Sequence, residues 1–228
     1  MAGSDWAVEL EDVHLTLVSA AGPVNVLRGI DLAVAPGESV AVVGPSGSGK
    51  TSTLLVAAGL ERATGGRVSV AGRDLGAMTE DELAILRREE VGIVFQSFHL
   101  MATMTALENV AVPLELAGRR DALERARACL EAVGLGARTG HYPGELSGGE
   151  QQRVAIARAF GPAPAAIFAD EPTGNLDGET GRRALDALFG LAADGGTTLI
   201  LVTHDPDLAA RCGRQVRIED GRIVNDAD

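Results

Sequence analysis

The chain has 228 residues, 46% of them apolar and 3% aromatic, with a formal net charge of −12. That length suits one α/β domain able to bury a large core. The negative charge argues against a general nucleic-acid or anionic-lipid surface while leaving room for a local basic patch, and so few aromatics leave little for base stacking.

No apolar run approaches the ~18 residues that span a bilayer. The opening MAGSDW lacks the basic and apolar regions of a signal peptide, so the expected compartment is the cytosol. Cys129 and Cys212 lie far apart without metal-ligand spacing, which predicts two reduced thiols.

Val8 to Leu17 alternates well enough for a strand. Val24 to Val34 reads as a second, with a hairpin loop over Ala20 to Pro23 and a turn at Pro36-Gly37. This antiparallel start departs from a plain doubly wound fold. Ser39 to Val43 (SVAVV) is a short β-branched run suited to a buried parallel strand.

The next eight residues organise the chain: Gly44, Pro45, Ser46, Gly47, Ser48, Gly49, Lys50 and Thr51 match G-x-x-x-x-G-K-[ST], the phosphate-binding loop. Its glycines let backbone N–H groups curl inward onto an anion. Lys50 has the reach for β- and γ-phosphates, and the Thr51 hydroxyl is a candidate Mg²⁺ ligand. Thr51 to Leu60 reads as a helix whose N-terminal dipole favours a phosphate. Strand, loop and helix in this order leave little room for a glycine turn that binds nothing.

Arg67 to Val70 reads as a strand, followed by a turn. Thr79 and Glu82 fit a capping box opening a helix. Val91 to Phe95 is a strand with Gln96 at its end, where polar side chains commonly line a ligand crevice. A lone Gln there is more often a loop residue. Helices are expected over Thr105 to Glu115 and Asp121 to Val133, the second ended by Gly134. This helical stretch is longer than one crossover needs, and it predicts an inserted helical subdomain over about 97–164 within a single domain of 1–228.

Leu146 to Arg153 (LSGGEQQR) contains a second capping box, Ser147 with Glu150, opening a helix to about Phe160. Gly148 and Gly149 weaken that helix but permit close approach of a backbone or a phosphate. A second anion site in a chain with one phosphate loop points to a ligand supplied by another subunit.

Ala165 to Ala169 is a buried strand ending in Asp170-Glu171. Such an acidic pair at a strand end suits Mg²⁺ support by Asp170 and water activation by Glu171; the alternative is a solvated acidic turn. A loop to Asp177 follows, then a helix over Glu179 to Ala192. The strand Thr197 to Val202 ends at His204, structural by default, yet other strands already bring polar groups to that edge. A short helix over Asp207 to Cys212 and a hairpin around Asp220-Gly221 complete the pattern.

As an ordered set, GPSGSGKT, Gln96, LSGGEQQR, AAIFADEP, NLD and His204 resemble the ATP-binding cassette (ABC) ATPases over nearly the whole chain. FQSFHLMATMTALENV, ADEPTGNLD and VTHDPDLAARC resemble the MacB/LolD-type members, most of all the YbbA branch. The resemblance implies an α/β fold: a P-loop NTPase core with a mixed or parallel sheet, an N-terminal antiparallel β subdomain and an inserted α-helical subdomain. It implies an ATPase using ATP and Mg²⁺, peripheral on the cytoplasmic face of the membrane. The enzyme would work as a homodimer with ATP sandwiched between subunits, powering a separate FtsX/MacB-like permease without nucleic acid.

By the same resemblance, residues 44–51 bind the triphosphate, and Thr51, Gln96 and Asp170 serve Mg²⁺. Glu171 is the general base, helped by Gln96 and His204. Ser147, Gly148, Gly149 and Glu150 belong to the segment meeting the partner's γ-phosphate, and Asp177 bridges subunits. The helical segment Phe98 to Asn109 faces the permease. One departure is the adenine-stacking aromatic, where this chain has Thr16-Leu17-Val18-Ser19; Val18 offers apolar contact only. A soluble cassette ATPase of DNA repair or translation is the alternative function, disfavoured by the single cassette and the acidic charge.

Overall fold

The computed structural model describes residues 6–19 and 22–227. The hairpin loop expected at Ala20 to Pro23 lies partly outside them, as does the start of the chain. Two compact units emerge, one from residues up to Arg87 plus Thr198 onward, the other from Arg88–Thr197.

The first unit opens with β1 (Val8–Ser19) and β2 (Gly22–Val34), an antiparallel pair. With β4 (Gly65–Val70) and β5 (Arg73–Asp74) they form a four-stranded sheet in the order β2-β1-β4-β5. The apolar alternation of β1 changes parity between Leu10 and Val13. A bulge accounts for it: Asp12 takes φ 47 and its N–H donates to Asp31 Oδ1 at 2.8 Å. The extra residue returns Val13 and Leu15 to the buried face beside Val8 and Leu10.

The second sheet of this unit is built on β3 (Ser39–Val43). It pairs in parallel with β8 (Thr198–Val202) and β9 (Arg214–Glu219), and β9 pairs antiparallel with β10 (Arg222–Ala227). Val40, Ala41 and all of β8 are buried, as expected for parallel strands covered on both faces. α1 (Lys50–Ala57) buries Leu54 and Val56 and gives way to Gly59 at φ 67, a left-handed position that favours glycine. α2 (Glu80–Glu90) starts where the Thr79–Glu82 capping box predicts: Thr79 N–H and Oγ1 both donate to Glu82 Oε2. The last helix, α7 (Pro206–Ala209), is shorter than the expected span to Cys212. Asp205 Oδ1 caps it and Pro206 begins it.

The second unit holds β6 (Val91–Phe95) and β7 (Ala166–Asp170), paired in parallel. Its helices are α3 (Ala106–Leu116), α4 (Ala122–Ala132), α5 (Gly148–Phe160) and α6 (Gly178–Gly195). α3, α4 and α5 pack on one another, and α5 also packs on α6 and β6. The aliphatic side chains Leu114, Leu130 and Ile156 are fully buried there, with Phe168 the largest. Truncating one such Leu or Ile to Ala costs about 2–5 kcal/mol.

Both cysteines are free and half-buried, and burial pushes the Cys212 thiol up to about 11. No helix among the described residues is long and apolar enough to cross a membrane.

Candidate functional site

In the first unit the chain leaves β3 at Gly44, turns through Gly47 and enters α1 after Gly49. All three glycines have positive φ, of 148°, 78° and 104°. A side chain at Gly44 would collide with the Ile218 carbonyl, whereas Gly47 faces open space. Gly49 is the helix N-cap and supplies no side-chain cap, so the N–H groups of the first turn of α1 are not capped by it. Lys50 Nζ donates to the carbonyls of Gly44 and Pro45, both at 2.9 Å, so its ammonium lies folded over the loop itself. Ser48 is buried, and its Oγ has no hydrogen-bond partner among the described residues. A buried hydroxyl without a partner costs ~1–3 kcal/mol, which a bound anion offsets. Pro45, Ser46 and Thr51 are exposed.

The parallel register pairs Val42 with Val202, and Thr203 N–H donates to Val42 O at 3.2 Å. His204, exposed, therefore sits level with Gly44 at the same strand ends. Val18, near the end of β1, is 90% exposed, with Leu17 beside it at 42%.

In the second unit, Phe95 of β6 pairs with Asp170 of β7, which delivers Gln96 and Glu171 to one end of the pair. Glu171 takes φ 44, a left-handed conformation costing a non-glycine residue roughly 1–2 kcal/mol. Strain of this kind collects at functional sites. The chain then folds through two tight turns, with Gly174 N–H donating to Glu171 O and Leu176 N–H to Thr173 O, both at 3.0 Å. This brings Asn175 against Gln96, and Gly174 leaves room for the Gln96 amide. Asp177 Oδ1 accepts from Thr180 N–H at 2.9 Å as the N-cap of α6, which holds its carboxyl below the ordinary range.

Ser147 and Glu150 form the expected capping box: Ser147 N–H and Oγ donate to Glu150 Oε2, both at 2.9 Å. Those bonds, led by the backbone one, depress the Glu150 carboxyl, and Arg138 lies 3.2 Å from its other oxygen. The glycine pair after Ser147 has a packing reason. Gly149 is buried where a Cβ would collide with Thr180 Cγ2 of α6, and a Cβ on Gly148 would lie 3.3 Å from Leu176.

Several residues that hold this site were not singled out from sequence. Fully buried Gln152 donates from Nε2 to Phe95 O at 3.4 Å. The Arg158 guanidinium, lowered from its ordinary value by burial, donates to Phe98 O at 3.0 Å and His99 O at 2.7 Å. Buried Asn109 donates to the carbonyls of Met101, Met104 and Thr105. Gln152 and Arg158 lie in or beside LSGGEQQR on α5, so they fasten both ends of the Gln96 segment to the helix that Ser147 caps. Only their long-range partners reveal this.

The sequence profile of the ABC transporter family matches residues 27–174, from β2 through the phosphate loop, Gln96 and LSGGEQQR to the turn after Glu171. The chain belongs to the ABC transporter family. Relatives of this ABC protein extend the match to nearly its full length. It is 49% identical over 222 residues to the uncharacterized ABC transporter ATP-binding protein YbbA of Escherichia coli K12, covering 96% of this chain and 97% of that one. It is 46% identical over 220 residues to the lipoprotein-releasing system ATP-binding protein LolD 1 of Rhodospirillum rubrum, with the same coverages. It is also 47% identical to the macrolide export ATP-binding/permease protein MacB of Marinobacter nauticus, spanning 34% of that longer chain.

Among solved structures, the dimeric post-hydrolysis state of the cassette MJ0796 bound to ADP and Pi superposes with a TM-score of 0.89 at 36% identity, over 97% of this chain. The ABC protein described here is thus an ATP-binding, ATP-hydrolysing subunit of the MacB/LolD type, near YbbA, with the α/β cassette fold.

Among its described residues no three His, Cys, Asp or Glu side chains converge as a metal cage. Thr51 in the first turn of α1 and Asp170 at the end of β7 each carry an oxygen donor, and Mg²⁺ keeps waters and uses one or two such protein groups plus substrate phosphates.

Proposed function

We propose that this ATPase works as a head-to-tail homodimer closed by two ATP molecules, and that it drives a separate permease of the FtsX/MacB-like kind from the cytoplasmic face of the membrane. One observation carries the dimer. The chain has two glycine-flanked helix N-termini suited to a phosphate, at Gly49-Lys50 and at Ser147-Gly148, but a single phosphate loop. A two-fold sandwich, each loop facing the partner's Ser147 segment, employs both. The dimeric cassette with ADP and Pi supports the arrangement. The permease rests on the names of the relatives, a lipoprotein-releasing ATP-binding protein and a macrolide export ATP-binding/permease protein. Each subunit is one ATPase domain, residues 1–228, with a helical subdomain over about 97–164.

The residues take these parts. Backbone N–H groups of 44–51 cradle the triphosphate, and Lys50 exchanges its two loop carbonyls for phosphate oxygens. Ser48 Oγ gains the partner it lacks. Thr51, Gln96 and Asp170 would hold Mg²⁺, which would supply positive charge against the phosphates. Glu171 takes the proton of the attacking water, and His204 donates to the γ-phosphate. Ser147, Gly148 and Gly149 contact the partner's γ-phosphate, while Glu150, which accepts from the Ser147 N–H, holds that helix end in shape and Asp177 meets the partner subunit. Val18 gives adenine an apolar contact. The net charge of −12 opposes closure, so ATP and Mg²⁺ supply what holds the dimer.

Light scattering at saturating ATP tests this. Glu171→Gln traps a dimer, and adding Ser147→Arg returns it to monomer, because a bulky cation blocks the partner's phosphate. A double variant that dimerises as well as the single one removes Ser147 from the interface and overturns the sandwich.

A further inference from the structure

We propose that the Asp220–Gly221 turn is a positioning element for the nucleotide: it backs the phosphate loop and sets how tightly that loop holds ATP. The proposal rests on residues 44–51 being the triphosphate site.

The turn joins β9 to β10 far from the loop in sequence, yet it is bonded to it. Gly221 N–H donates to Ser48 O at 2.9 Å, and Gly221 O accepts from Arg28 N–H at 2.9 Å. One residue thereby fastens the loop to β2. Arg28 closes the arrangement: its NH1 donates to Asp220 Oδ2 at 2.6 Å and its Nε to Asn25 O at 3.2 Å. There is no slack. A Cβ on Gly221 would collide with the Val26 carbonyl, and a Cβ on Gly49 would lie 3.2 Å from that same oxygen and 3.7 Å from Gly221 Cα. Gly44 abuts the Ile218 carbonyl, two residues before the turn. Asp220 and Gly221 take φ 46 and 73, the paired left-handed values of a tight hairpin.

The two bonds of Gly221, to Ser48 and to Arg28, are backbone to backbone, so no rotamer change can absorb a shift of the turn there. Ser48 carries both the carbonyl that the turn holds and the buried Oγ without a partner. Moving the turn therefore re-aims that hydroxyl and the N–H groups beside it. Affinity changes, while the chemical step, which depends on other residues, does not.

The test measures ATP dissociation by calorimetry in Mg²⁺, together with KM and kcat for ATP hydrolysis by the full chain. Gly221→Ala is expected to raise Kd and KM about tenfold with kcat at saturating ATP within about twofold, the signature of lost uniform binding. Asp220→Asn is expected to keep wild-type Kd, because Asn tolerates the left-handed region and still accepts from Arg28. A folded Gly221→Ala protein with wild-type Kd overturns the proposal, as does lost kcat at unchanged Kd. If Gly221→Ala does not fold, Arg28→Ala, which frees Asp220 but leaves the turn backbone intact, is expected to raise Kd about threefold; an unchanged Kd overturns the proposal equally. Lys50→Ala separates the two levels: ATP binding that survives it undamaged removes the phosphate-loop reading itself, whatever the turn does.

Discussion

Gln96 and Asn175 hold each other by two hydrogen bonds: Gln96 Nε2 donates to Asn175 Oδ1 at 3.1 Å, and Asn175 Nδ2 donates to Gln96 O at 3.2 Å. The pair ties the end of β6 to the turn after Glu171. Asn175→Ala removes both bonds without touching a reacting atom. The expected outcome is a kcat lowered about tenfold with ATP affinity retained, the pattern for positioning lost at the chemical step. Steady-state kinetics beside a binding isotherm decide it; a wild-type kcat dismisses the role of Asn175.

Glu171 combines strain with its assigned chemistry. Glu171→Gln is expected to keep ATP binding and lose about 10²–10⁴-fold in turnover. Glu171→Gly is equally inactive but relieves the left-handed backbone, and its stability without nucleotide is expected to rise by ~1 kcal/mol. Denaturant unfolding of the three proteins checks the order; a less stable Gly variant means that the backbone at Glu171 is not strained.

Three capping-box carboxylates contribute to the acid sensitivity of the helices they begin. Glu82, Glu108 and Glu150 are each lowered from 4.5, first by the backbone N–H of Thr79, Thr105 and Ser147. A folded-state pKa below the unfolded one gives stability that is present above the unfolded value and lost as pH falls through the folded one. Helix stability is therefore expected to fall below pH 4.5, and replacing all three with Gln to flatten that dependence. Circular dichroism against pH measures it; an unaltered acid transition assigns the loss to other groups.

Val18, the adenine contact proposed above, is exposed and offers no aromatic ring for stacking. GTP is expected to compete with ATP within about tenfold, since aromatic stacking contributes of order 1 kcal/mol or more where present. Competition assays read this directly, and a preference for ATP above about a hundredfold means that another side chain reads the base.

What was legible in the sequence was local. The phosphate loop declares itself by glycine spacing between a β-branched run and a helix. Ser147 and Glu150, three residues apart, announced the helix start that the structure contains. What stayed hidden depends on distant partners. Gln96 and Asn175 are 79 positions apart. In sequence Gly149 is an opening for a backbone or phosphate, yet it is also a packing requirement that only the presence of Thr180 reveals. The positive φ of Glu171 has no signature in a residue type that rarely adopts it.

The order of pairing around β3 bears on how the protein is made. Ser39–Val43 has its two strand neighbours in Thr198–Val202 and Arg214–Glu219, and the loop that follows is held by Gly221. On the ribosome the phosphate loop emerges long before any of these. A nascent chain thus exposes the motif without the frame that shapes it, and its affinity for nucleotide is expected to rise only once the distal strands have been translated and docked. ATP is then expected to stabilise finished copies by mass action more than prematurely terminated ones.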